Sequence, residues 1–440
     1  MRSTLSIICL LALVVSFVMA APTPIQKRSF KVERVRNANF QGYNGAAQRM
    51  KALRKFRVHP PQDLIDALAA QRGGAGSKDK GHRQKGTATA TATGAKATSG
   101  SSGVLVGSDA TNTSSSNVGI VTNTPTTDDT EFLSPVTIGG QTLNLDFDTG
   151  SSDLWVFNTQ LSAQESDGQT LFDPTKSSTF SSVKGATFLV SYGDGSEVAG
   201  NVGTDTVNVG GATVTKQAIE LATAVSASFI SDTSSDGLMG LAFSVLNQVK
   251  PTQQKTFFDN VKADLAEPLF AADLRHNAAG SYEFGAIDSS KFSGALSNVA
   301  INTTQGFWQF SSASFAVGDG KTQTMAASQA IADTGTTLML VNAAVIDGYF
   351  ANVTGAEYNQ QAGGVTIPCD ANLPDLKIDV GGATATVSGS NFIFENIGSN
   401  TCFSGLQPID SDLMIFGDVF FKSNYVVFNG NNTLSFAPHA

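Results

Sequence analysis

Two short segments carry the same chemically useful pattern, an Asp on a tight Gly turn with a hydroxyl three residues further on. They are Asp148-Thr149-Gly150-Ser151 and Asp333-Thr334-Gly335-Thr336, and the two Asp residues stand 185 residues apart. One such turn is common in loops, but two copies suggest two related halves that each bring one Asp to a shared cleft. Carboxylates held about 3 Å apart cannot both ionise, so the pair shares one proton. One carboxyl then acts as general base toward a water while the other acts as general acid on the substrate.

Each turn follows an apolar run, residues 143–147 and 330–332, that reads as a strand ending at the Asp. Apolar and polar residues also alternate over residues 134–138 and 202–209, and Gly-Gly pairs supply turns between strands. Helical patterns are few, and residues 256–265 are the best of them. From residue 128 onwards the pattern predicts an all-β protein whose two lobes, residues 128–292 and 293–440, meet at an active-site cleft.

The N-terminal part of the chain is predicted to contain a secretion signal and a linker rather than part of a folded domain. Basic Arg2, an apolar stretch over residues 5–18 and a small-residue end at Ala20 are typical of a secretory signal peptide, residues 1–20. No later stretch approaches the roughly 18 consecutive apolar residues of a membrane span, so we expect a secreted, extracellular protein without a membrane anchor. Residues 86–127 are dominated by Gly, Ala, Ser and Thr, which predicts a flexible linker that is cut readily.

Charge divides the chain sharply. Residues 21–85 hold 15 Lys and Arg against 4 Asp and Glu, a balance of +11, whereas residues 86–440 hold 12 against 33, a balance of −21. A basic segment beside an acidic body predicts a pro-segment that docks on the body electrostatically and inhibits it. The cleavage that releases this segment is expected after residue 85 or, alternatively, as late as about residue 116. The acidic body argues against nucleic acid or an anionic membrane as partner, and we expect a monomer.

Cysteine content fits an oxidising compartment. Cys9 leaves with the signal peptide, and Cys369 and Cys402 remain, 33 residues apart. A disulfide between them would stabilise the fold by about 3–4 kcal/mol in the loop-closure model. A two-Cys metal site is the alternative, but neither Cys has a Cys-x-x-Cys partner and the chain holds only four His. We therefore interpret the pair as a structural disulfide and expect no metal ion.

From residue 128 onwards the chain resembles the pepsin-like aspartic proteases, most closely the secreted fungal enzymes of the penicillopepsin and aspergillopepsin type. The resemblance implies a bilobal acid endopeptidase that is made as a zymogen, acts on peptides and proteins and needs no metal or organic cofactor. It rests on several motifs in the correct order. Besides the two Asp-Thr-Gly segments these are Tyr192-Gly193-Asp194-Gly195-Ser196, Leu238-Met239-Gly240, Ser281-Tyr282-Glu283-Phe284-Gly285-Ala286-Ile287-Asp288 and Ile415-Phe416-Gly417-Asp418-Val419-Phe420.

The resemblance also implies a role for each residue of the two turns. Asp148 and Asp333 would be the catalytic dyad, and a water between them would attack the scissile carbonyl to give a gem-diol without a covalent acyl-enzyme. Asp333 would accept the proton from water and Asp148 would donate one to the carbonyl oxygen, within a pair that titrates as a unit. The remaining turn residues would orient the carboxyls and tie the two loops together; they are Thr149, Gly150, Ser151, Thr334, Gly335 and Thr336.

A second group of residues would handle the substrate. Tyr192 and Trp155 resemble the pair whose hydroxyl and indole N–H hold the flap closed, which would expel water from the cleft. Gly193 and Asp194 would lie at the flap tip, over an apolar groove that prefers bulky apolar side chains on both sides of the cut bond. Asp194 could also pair with a substrate Lys and add cleavage after Lys. Alternatively, it only stabilises the hairpin turn, as Asp-Gly often does.

The pro-segment and the glycosylation motifs complete the prediction. Residues 48–56 read as a short helix that stops at Pro60 and Pro61. Lys55 would block the dyad, although it is followed by Phe56 where the family commonly has Tyr. Four Asn-x-Ser/Thr motifs are acceptor sequences for N-glycosylation. They begin at Asn112, Asn302, Asn352 and Asn431.

Two other classes of protein share some of these features. A binding or inhibitor protein on the same fold would usually have lost an Asp, the flap Tyr or a loop Gly, and this chain keeps all of them. A metal-dependent hydrolase with the carboxylates as ligands would be expected to offer more His. An aspartic-type endopeptidase is therefore the predicted function.

Overall fold

A computed structural model describes residues 30–33, 44–75, 132–192, 196–231, 235–276 and 278–440. The predicted signal peptide and linker, residues 1–20 and 86–127, lie outside these ranges. None of the helices in the described ranges is long and apolar enough to cross a membrane. The helices are α1 (Gly45–Lys55), α2 (Gln62–Ala75), α3 (Ala227–Ser231), α4 (Phe257–Val261), α5 (Ala343–Phe350) and α6 (Asp418–Phe421).

Strands make up most of the ordered structure, as the alternating pattern predicted. Within the described residues they are, in chain order, β1 (Phe30–Glu33), β2 (Leu133–Ile138), β3 (Gln141–Asp148), β4 (Leu154–Val156), β5 (Ser181–Ser191), β6 (Glu197–Val209), β7 (Ala212–Val225), β8 (Gly237–Gly240), β9 (Leu269–Asp273), β10 (Ser281–Phe284), β11 (Ser297–Ala300), β12 (Gln309–Val317), β13 (Gln323–Ala332), β14 (Met339–Val341), β15 (Glu357–Asn359), β16 (Gly364–Pro368), β17 (Leu376–Val380), β18 (Ala383–Val387), β19 (Ile393–Gly398), β20 (Thr401–Ser404), β21 (Leu406–Pro408), β22 (Leu413–Phe416), β23 (Asn424–Asn429) and β24 (Thr433–Pro438).

Seven strands of the first half, β2 to β8, form one sheet in the order β2-β3-β8-β4-β7-β6-β5. Alternate side chains of β3, among them Leu143 and Leu145, are buried in the core, as a period of two requires. β3 pairs parallel with β8, and the register sets Asp148 opposite Gly240. β8 pairs antiparallel with β4, so that β8 lies between β3 and β4. Strand β3 therefore delivers Asp148 at its carboxyl end.

The second half repeats this arrangement in a seven-stranded sheet of order β18-β17-β12-β13-β22-β14-β21. β13 pairs parallel with β22, with Ala332 opposite Phe416, and β22 pairs antiparallel with β14. The set β13, β22 and β14 thus matches β3, β8 and β4 in order and direction. Asp333 follows β13 directly, just as Asp148 ends β3. The repeated turns lie at equivalent places in two similar sheets.

A six-stranded sheet, in the order β1-β10-β9-β23-β24-β11, contains strands from both sides of residue 292. Its face is rich in aromatic residues. Phe270 stacks on Phe428 with ring centroids 4.7 Å apart, and Trp308 meets Phe428 edge-on at 5.1 Å. Such pairs stabilise a fold beyond the area that they bury. One contiguous hydrophobic cluster extends from the first half through this sheet into the second, so the placement of one Asp turn relative to the other is set by packed core.

Helix α1 confirms the helix that the sequence predicted in the basic segment. It begins at Asn44, whose side chain accepts a hydrogen bond from a first-turn backbone N–H at 2.8 Å. It ends before Arg57, which has a positive φ of 59°. The apolar side of α1, with Met50 and Leu53, is buried in a cluster that includes Leu340 of the second half. The body of the protein therefore stabilises α1.

The disulfide is present, and one predicted helix is shorter than expected. Cys369 and Cys402 are bonded at 2.04 Å, beside a four-stranded sheet of order β15-β16-β20-β19. Of residues 256–265 only Phe257–Val261 form helix α4. Thr256 precedes the helix as its N-cap, accepting from Asp259 N at 3.2 Å, and the residues after α4 form turns.

Candidate active site

The two Asp side chains are held by equivalent hydrogen bonds within their own turns. Gly150 N donates to Asp148 Oδ1 at 2.8 Å, and Gly335 N donates to Asp333 Oδ1 at 3.0 Å. The Ser151 hydroxyl donates to Asp148 Oδ2 at 2.6 Å, and the Thr336 hydroxyl donates to Asp333 Oδ2 at 2.5 Å. Both Asp residues are buried, so these donors replace the water that an exposed carboxylate would bind.

The two turns face each other closely, and this explains both glycines. A Cβ atom at Gly150 would lie 2.5 Å from Asp333 Oδ1, and one at Gly335 would lie 2.3 Å from Asp148 Oδ1. Any side chain at either position would collide with the opposite carboxyl. The two predicted Asp residues are thus brought together across a two-fold arrangement.

Thr149 and Thr334 link the two loops. Thr149 N donates to the Thr334 hydroxyl at 3.2 Å, and Thr334 N donates to the Thr149 hydroxyl at 2.9 Å. Each hydroxyl donates in turn to a backbone carbonyl of the other half, that of Ala332 at 2.9 Å and that of Phe147 at 2.6 Å. Four buried hydrogen bonds therefore fix one Asp turn relative to the other.

Lys55, at the end of α1, occupies the space between the carboxyls. Its Nζ lies 2.7 Å from Asp148 Oδ1 and 2.9 Å from Asp333 Oδ2. Burial disfavours charge on all three groups, but the two carboxyls raise the pKa of Lys55. Despite burial, the ammonium holds the pKa of Asp148 below its usual value. Burial and the Asp148 charge raise the pKa of Asp333 to about 6, against the opposing effect of Lys55. In this Lys55-bound arrangement Asp148 is the more readily ionised carboxyl.

Arg49 provides a second contact between the basic segment and the body. Its side chain is buried, and it donates to Gly363 O at 2.8 Å, to the Tyr358 hydroxyl at 2.9 Å and to Pro408 O at 3.1 Å. At the other end of the helix, Gly45 N donates to a Glu395 carboxylate oxygen at 2.6 Å. The sequence reading did not find Arg49, because the acceptors lie more than 300 residues away in the chain.

Tyr192 and Trp155 are in the contact that the sequence predicted for a flap. Trp155 Nε1 donates to the Tyr192 hydroxyl at 2.8 Å, and Phe229 packs edge-on against both rings. Tyr192 N donates to Ser196 O at 2.8 Å, across the hairpin formed by β5 and β6. Gly193 and Asp194, predicted for the flap tip, lie outside the described residues.

A cavity of ≈ 590 Å³ extends from the turn of Asp148 beneath β5. Residues 54–57 of the basic segment line part of it, and the Phe56 ring meets the Phe307 ring edge-on with centroids 5.6 Å apart. The walls contributed by the body are mixed, with several apolar side chains. These are Leu189, Val190, Leu246, Phe307 and Leu413.

The remaining predicted sites are the acceptor motifs for N-glycosylation. Asn302, Asn352 and Asn431 are exposed, and Asn112 lies outside the described residues.

A buried cluster next to the first active-site loop was not predicted from the sequence. Asp153 and Glu220 are buried there, and both accept a hydrogen bond from the Asn247 side chain. The available signal was an additional Asp in the first loop, five residues after Asp148.

Two carboxyls that face each other on equivalent turns, beside a cavity under the β5–β6 hairpin, are the arrangement expected of an aspartic-type hydrolase. The family model described as eukaryotic aspartyl protease matches residues 131–439, and the chain belongs to this family. It is therefore an aspartic endopeptidase with a bilobal β fold.

Curated relatives place it among the fungal pepsin-like enzymes. Penicillopepsin-1 of Penicillium janthinellum is 48% identical over 325 residues, which cover 73% of this chain and 99% of that protein. Endothiapepsin of Cryphonectria parasitica is 44% identical over 413 residues, covering 92% and 88% respectively. Aspergillopepsin-1 of Aspergillus oryzae is 39% identical over 425 residues, covering 96% of both chains.

Proposed function

We propose that this endopeptidase is a secreted acid protease in which Asp148 and Asp333 activate the attacking water. The observation that carries the proposal is the facing pair of buried carboxyls, each held by a Gly N–H and a hydroxyl. Such a pair holds one proton and one negative charge between its members. Asp333 accepts a proton from the water as its oxygen bonds to the scissile carbon, and Asp148 donates its proton to the carbonyl oxygen. The product of this step is a gem-diol, with no bond between enzyme and substrate.

The neighbouring residues have supporting roles in this proposal. The N–H groups of Gly150 and Gly335 stabilise the negative charge of the pair, and the hydroxyls of Ser151 and Thr336 fix the plane of each carboxyl. Thr149 and Thr334 keep the distance between the carboxyls constant. Precise placement of this kind is worth several kcal/mol of activation free energy in enzymes.

Inhibition by a statine-type peptide, but not by a chelator, tests this function against its rivals. A binding protein would show no hydrolysis of a denatured protein at about pH 4, where the pair is singly protonated. A metal-dependent hydrolase would lose activity to the chelator. Within the described ranges, His, Cys, Asp and Glu side chains form no group of three or more placed to bind a metal ion.

For the substrate, we infer a preference for bulky apolar side chains on both sides of the cut bond. Support comes from the apolar side chains that line the cavity, among them Leu189, whose side chain is 56% exposed on the flap strand β5. An exposed Leu at this place loses water when an extended peptide lies against it, which favours apolar partners.

Asp194 adds a second preference, for Lys before the cut bond. Asp194→Thr is expected to reduce kcat/KM about 10–100-fold for a peptide with Lys at that position, because a charge-assisted hydrogen bond is lost. A matched peptide with Phe should be cut as before. Glu267→Gln, an isosteric change at an exposed carboxylate outside the flap hairpin, is the control and should affect neither peptide. If Asp194→Thr lowers both activities together, Asp194 is a turn residue and the Lys preference is wrong.

We further propose that residues 21–85 are a pro-segment that keeps the enzyme inactive. Lys55 neutralises the pair, residues 54–57 form part of the wall of the cavity beside the Asp148 turn, and Arg49 anchors α1 to the second half. The relative from Aspergillus oryzae matches 96% of this chain, so its similarity extends into the basic segment. Phe56, where the family commonly has Tyr, contributes a ring contact to Phe307 instead of a hydroxyl contact.

The proposed inhibition by residues 21–85 weakens in acid. Lys55 lowers the pKa of both Asp148 and Asp333, so release of the segment is accompanied by proton uptake at the pair. Docking of the basic segment on the body is therefore favoured at neutral pH. It weakens first as the pH falls through about 6, where Asp333 takes up a proton. It weakens again at lower pH, where Asp148, whose pKa is lowered, takes up its proton. Cleavage in the linker, residues 86–127, would make the release irreversible.

The other predictions from the sequence stay part of this proposal. They are the signal peptide over residues 1–20, the division into lobes at residue 292, a monomeric state and N-glycosylation at the four Asn motifs. The exposure of Asn302, Asn352 and Asn431 is compatible with glycosylation. N-terminal sequencing and glycosidase treatment of protein from the culture medium would test export, the mature N-terminus and the glycans together.

A further inference from the structure

A second pair of buried carboxyls lies beneath the flap. Asp153 ends the first active-site loop, and Glu220 lies on β7 opposite Trp155; they are 2% and 1% exposed. Both carboxyls lie 3.0 Å from the same amide nitrogen, Asn247 Nδ2, so the two acidic groups are close neighbours. Glu220 Oε2 is buried and receives no hydrogen bond from another group, so one proton shared by the pair suits this site better than a second negative charge.

Asn247 binds both carboxyls and the loop at once. Its Nδ2 group, which has two hydrogens, lies within hydrogen-bond distance of three acceptors: Asp153 Oδ1 at 3.0 Å, Glu220 Oε1 at 3.0 Å and Ser152 O at 3.2 Å. Its Oδ1 atom accepts from two backbone N–H groups of the segment that follows it. The carboxyl pair therefore holds Asn247 in the orientation that the next segment needs.

That segment reaches the flap. Gln248 N donates to Asp153 Oδ1 at 2.8 Å. Two residues later, Lys250 exchanges two backbone hydrogen bonds with Thr187 of β5, at 2.8 and 3.0 Å. β5 continues into Tyr192. A continuous series of bonds thus connects the loop that carries the catalytic carboxyl to the strand that carries the flap.

The surroundings of the pair favour a single negative charge. The titratable groups of the body that face it are Asp148, at the start of the same loop, and Tyr192 on the flap. Both are acids, so neither offsets a second charge. The basic residues 54, 55 and 57 line the same cavity as Asp153 and leave with the proposed pro-segment. Burial and the Asp153 charge raise the pKa of Glu220 well above its ordinary value, and burial raises the pKa of Asp153 to about 6.

We propose that Asp153 and Glu220 are positioning residues that share one proton and thereby hold the first active-site loop and the flap strand in the catalytic arrangement. Without that proton, two carboxylates would repel each other inside the half that carries Asp148, and the Asn247 bridge would be strained. The activity of the enzyme then requires a retained proton at two separate carboxyl pairs. One is the catalytic pair, and the other is this pair. The catalytic consequence rests on the proposed role of Asp148.

The sign of the effect follows from proton binding. In the unfolded chain Glu220 ionises at its ordinary pKa, whereas the folded protein retains the proton to higher pH. Between these two values the folded state binds more protons than the unfolded state. Stability contributed by the pair is therefore present in acid and is lost as the pH rises.

Glu220→Gln tests the proposal, because an amide keeps a hydrogen-bond donor toward Asp153 and cannot ionise. Mature enzyme is incubated at a series of pH values and its remaining activity is then assayed at one acid pH, so that the ionisation of the catalytic pair during the assay is the same for every sample. The pH of half-inactivation should shift upward by about one unit. In acid, kcat/KM should stay within about threefold of the wild type. Asp153→Asn should shift the midpoint in the same direction.

Two further variants separate positioning from general stability. Glu267→Gln makes the same chemical change at an exposed site outside the flap hairpin and should leave the midpoint unchanged. Glu220→Ala removes the donor and should lower activity at every pH without an upward shift. An unchanged or lower midpoint in Glu220→Gln, or its failure to fold even in acid, would overturn the proposal. If the role of Asp148 is wrong instead, Asp148→Asn stays active while the shift in Glu220→Gln remains.

Discussion

Peptide hydrolysis should disappear when Asp148 or Asp333 is replaced by Asn, while the fold stays intact. An amide has the size of a carboxyl and can accept the hydrogen bond from Gly150 N or Gly335 N, so the turn keeps its shape. It cannot take a proton from water or share one with the other carboxyl. We expect kcat to fall by about 10⁴-fold or more, as for other residues that act as a unit in catalysis.

The measurement uses protein from which an added protease has removed the pro-segment, because the variants would not process themselves. Activity is followed with a peptide substrate in acid, and folding is followed by circular dichroism and thermal unfolding. Asp347→Asn, on the exposed side of α5, is the matched control and should keep full activity. Measurable peptidase activity in a purified double variant, with both Asp148 and Asp333 replaced, would rule out the aspartic mechanism.

The fold was predictable from the sequence where local pattern decides structure. β3 alternates in burial and ends at the Asp that its turn presents, and the Gly-Gly pair 139–140 forms the turn before it with both φ values positive. α1 has a capping Asn and an apolar side. The helix expected over residues 256–265 was overestimated, because its apolar residues are explained as well by a single helical turn followed by turns that bury Leu265.

The site was predictable where a motif carries the chemistry. The repeated Asp turns indicated a facing pair before any geometry was known, and both glycines proved necessary for the approach. The links made by Thr149 and Thr334 came from the family resemblance alone. Their partners lie 183 to 187 residues away, and no local pattern specifies such a contact.

The missed residues share a physical reason. Asp153, Glu220 and Asn247 come from three separate segments, and each is unremarkable in its own sequence context. Arg49 looked like one of many basic residues in a charged segment, yet it is buried against uncharged acceptors of the second half. Burial of a polar group depends on tertiary packing, which a charge count over residues 21–85 does not contain.

Lys55→Met should open the active site of the full-length proform at neutral pH. Met has a similar length but no charge, so the buried carboxyls of Asp148 and Asp333 would lose their counter-ion. Removing one partner of a buried ion pair costs about 3–5 kcal/mol. Docking of residues 54–57 in the cleft would weaken accordingly, and a statine-type inhibitor should bind the variant roughly 10²–10³-fold more tightly than it binds the wild-type proform.

Titration calorimetry on intact proform at neutral pH measures this difference directly. Lys176→Met is the matched control, because Lys176 is 71% exposed and pairs only with Asp173 in the described part of the chain; it should leave the affinity unchanged, as surface pairs contribute little. Arg49→Met should also raise the affinity. The increase in inhibitor affinity caused by Arg49→Met should persist as the pH falls toward 6, because the acceptors Gly363 O and Pro408 O do not titrate. The increase caused by Lys55→Met should become smaller over the same range, because Asp333 takes up a proton. Equal inhibitor affinity for wild type and Lys55→Met would mean that the ammonium between the carboxyls does not hold the segment in the cleft.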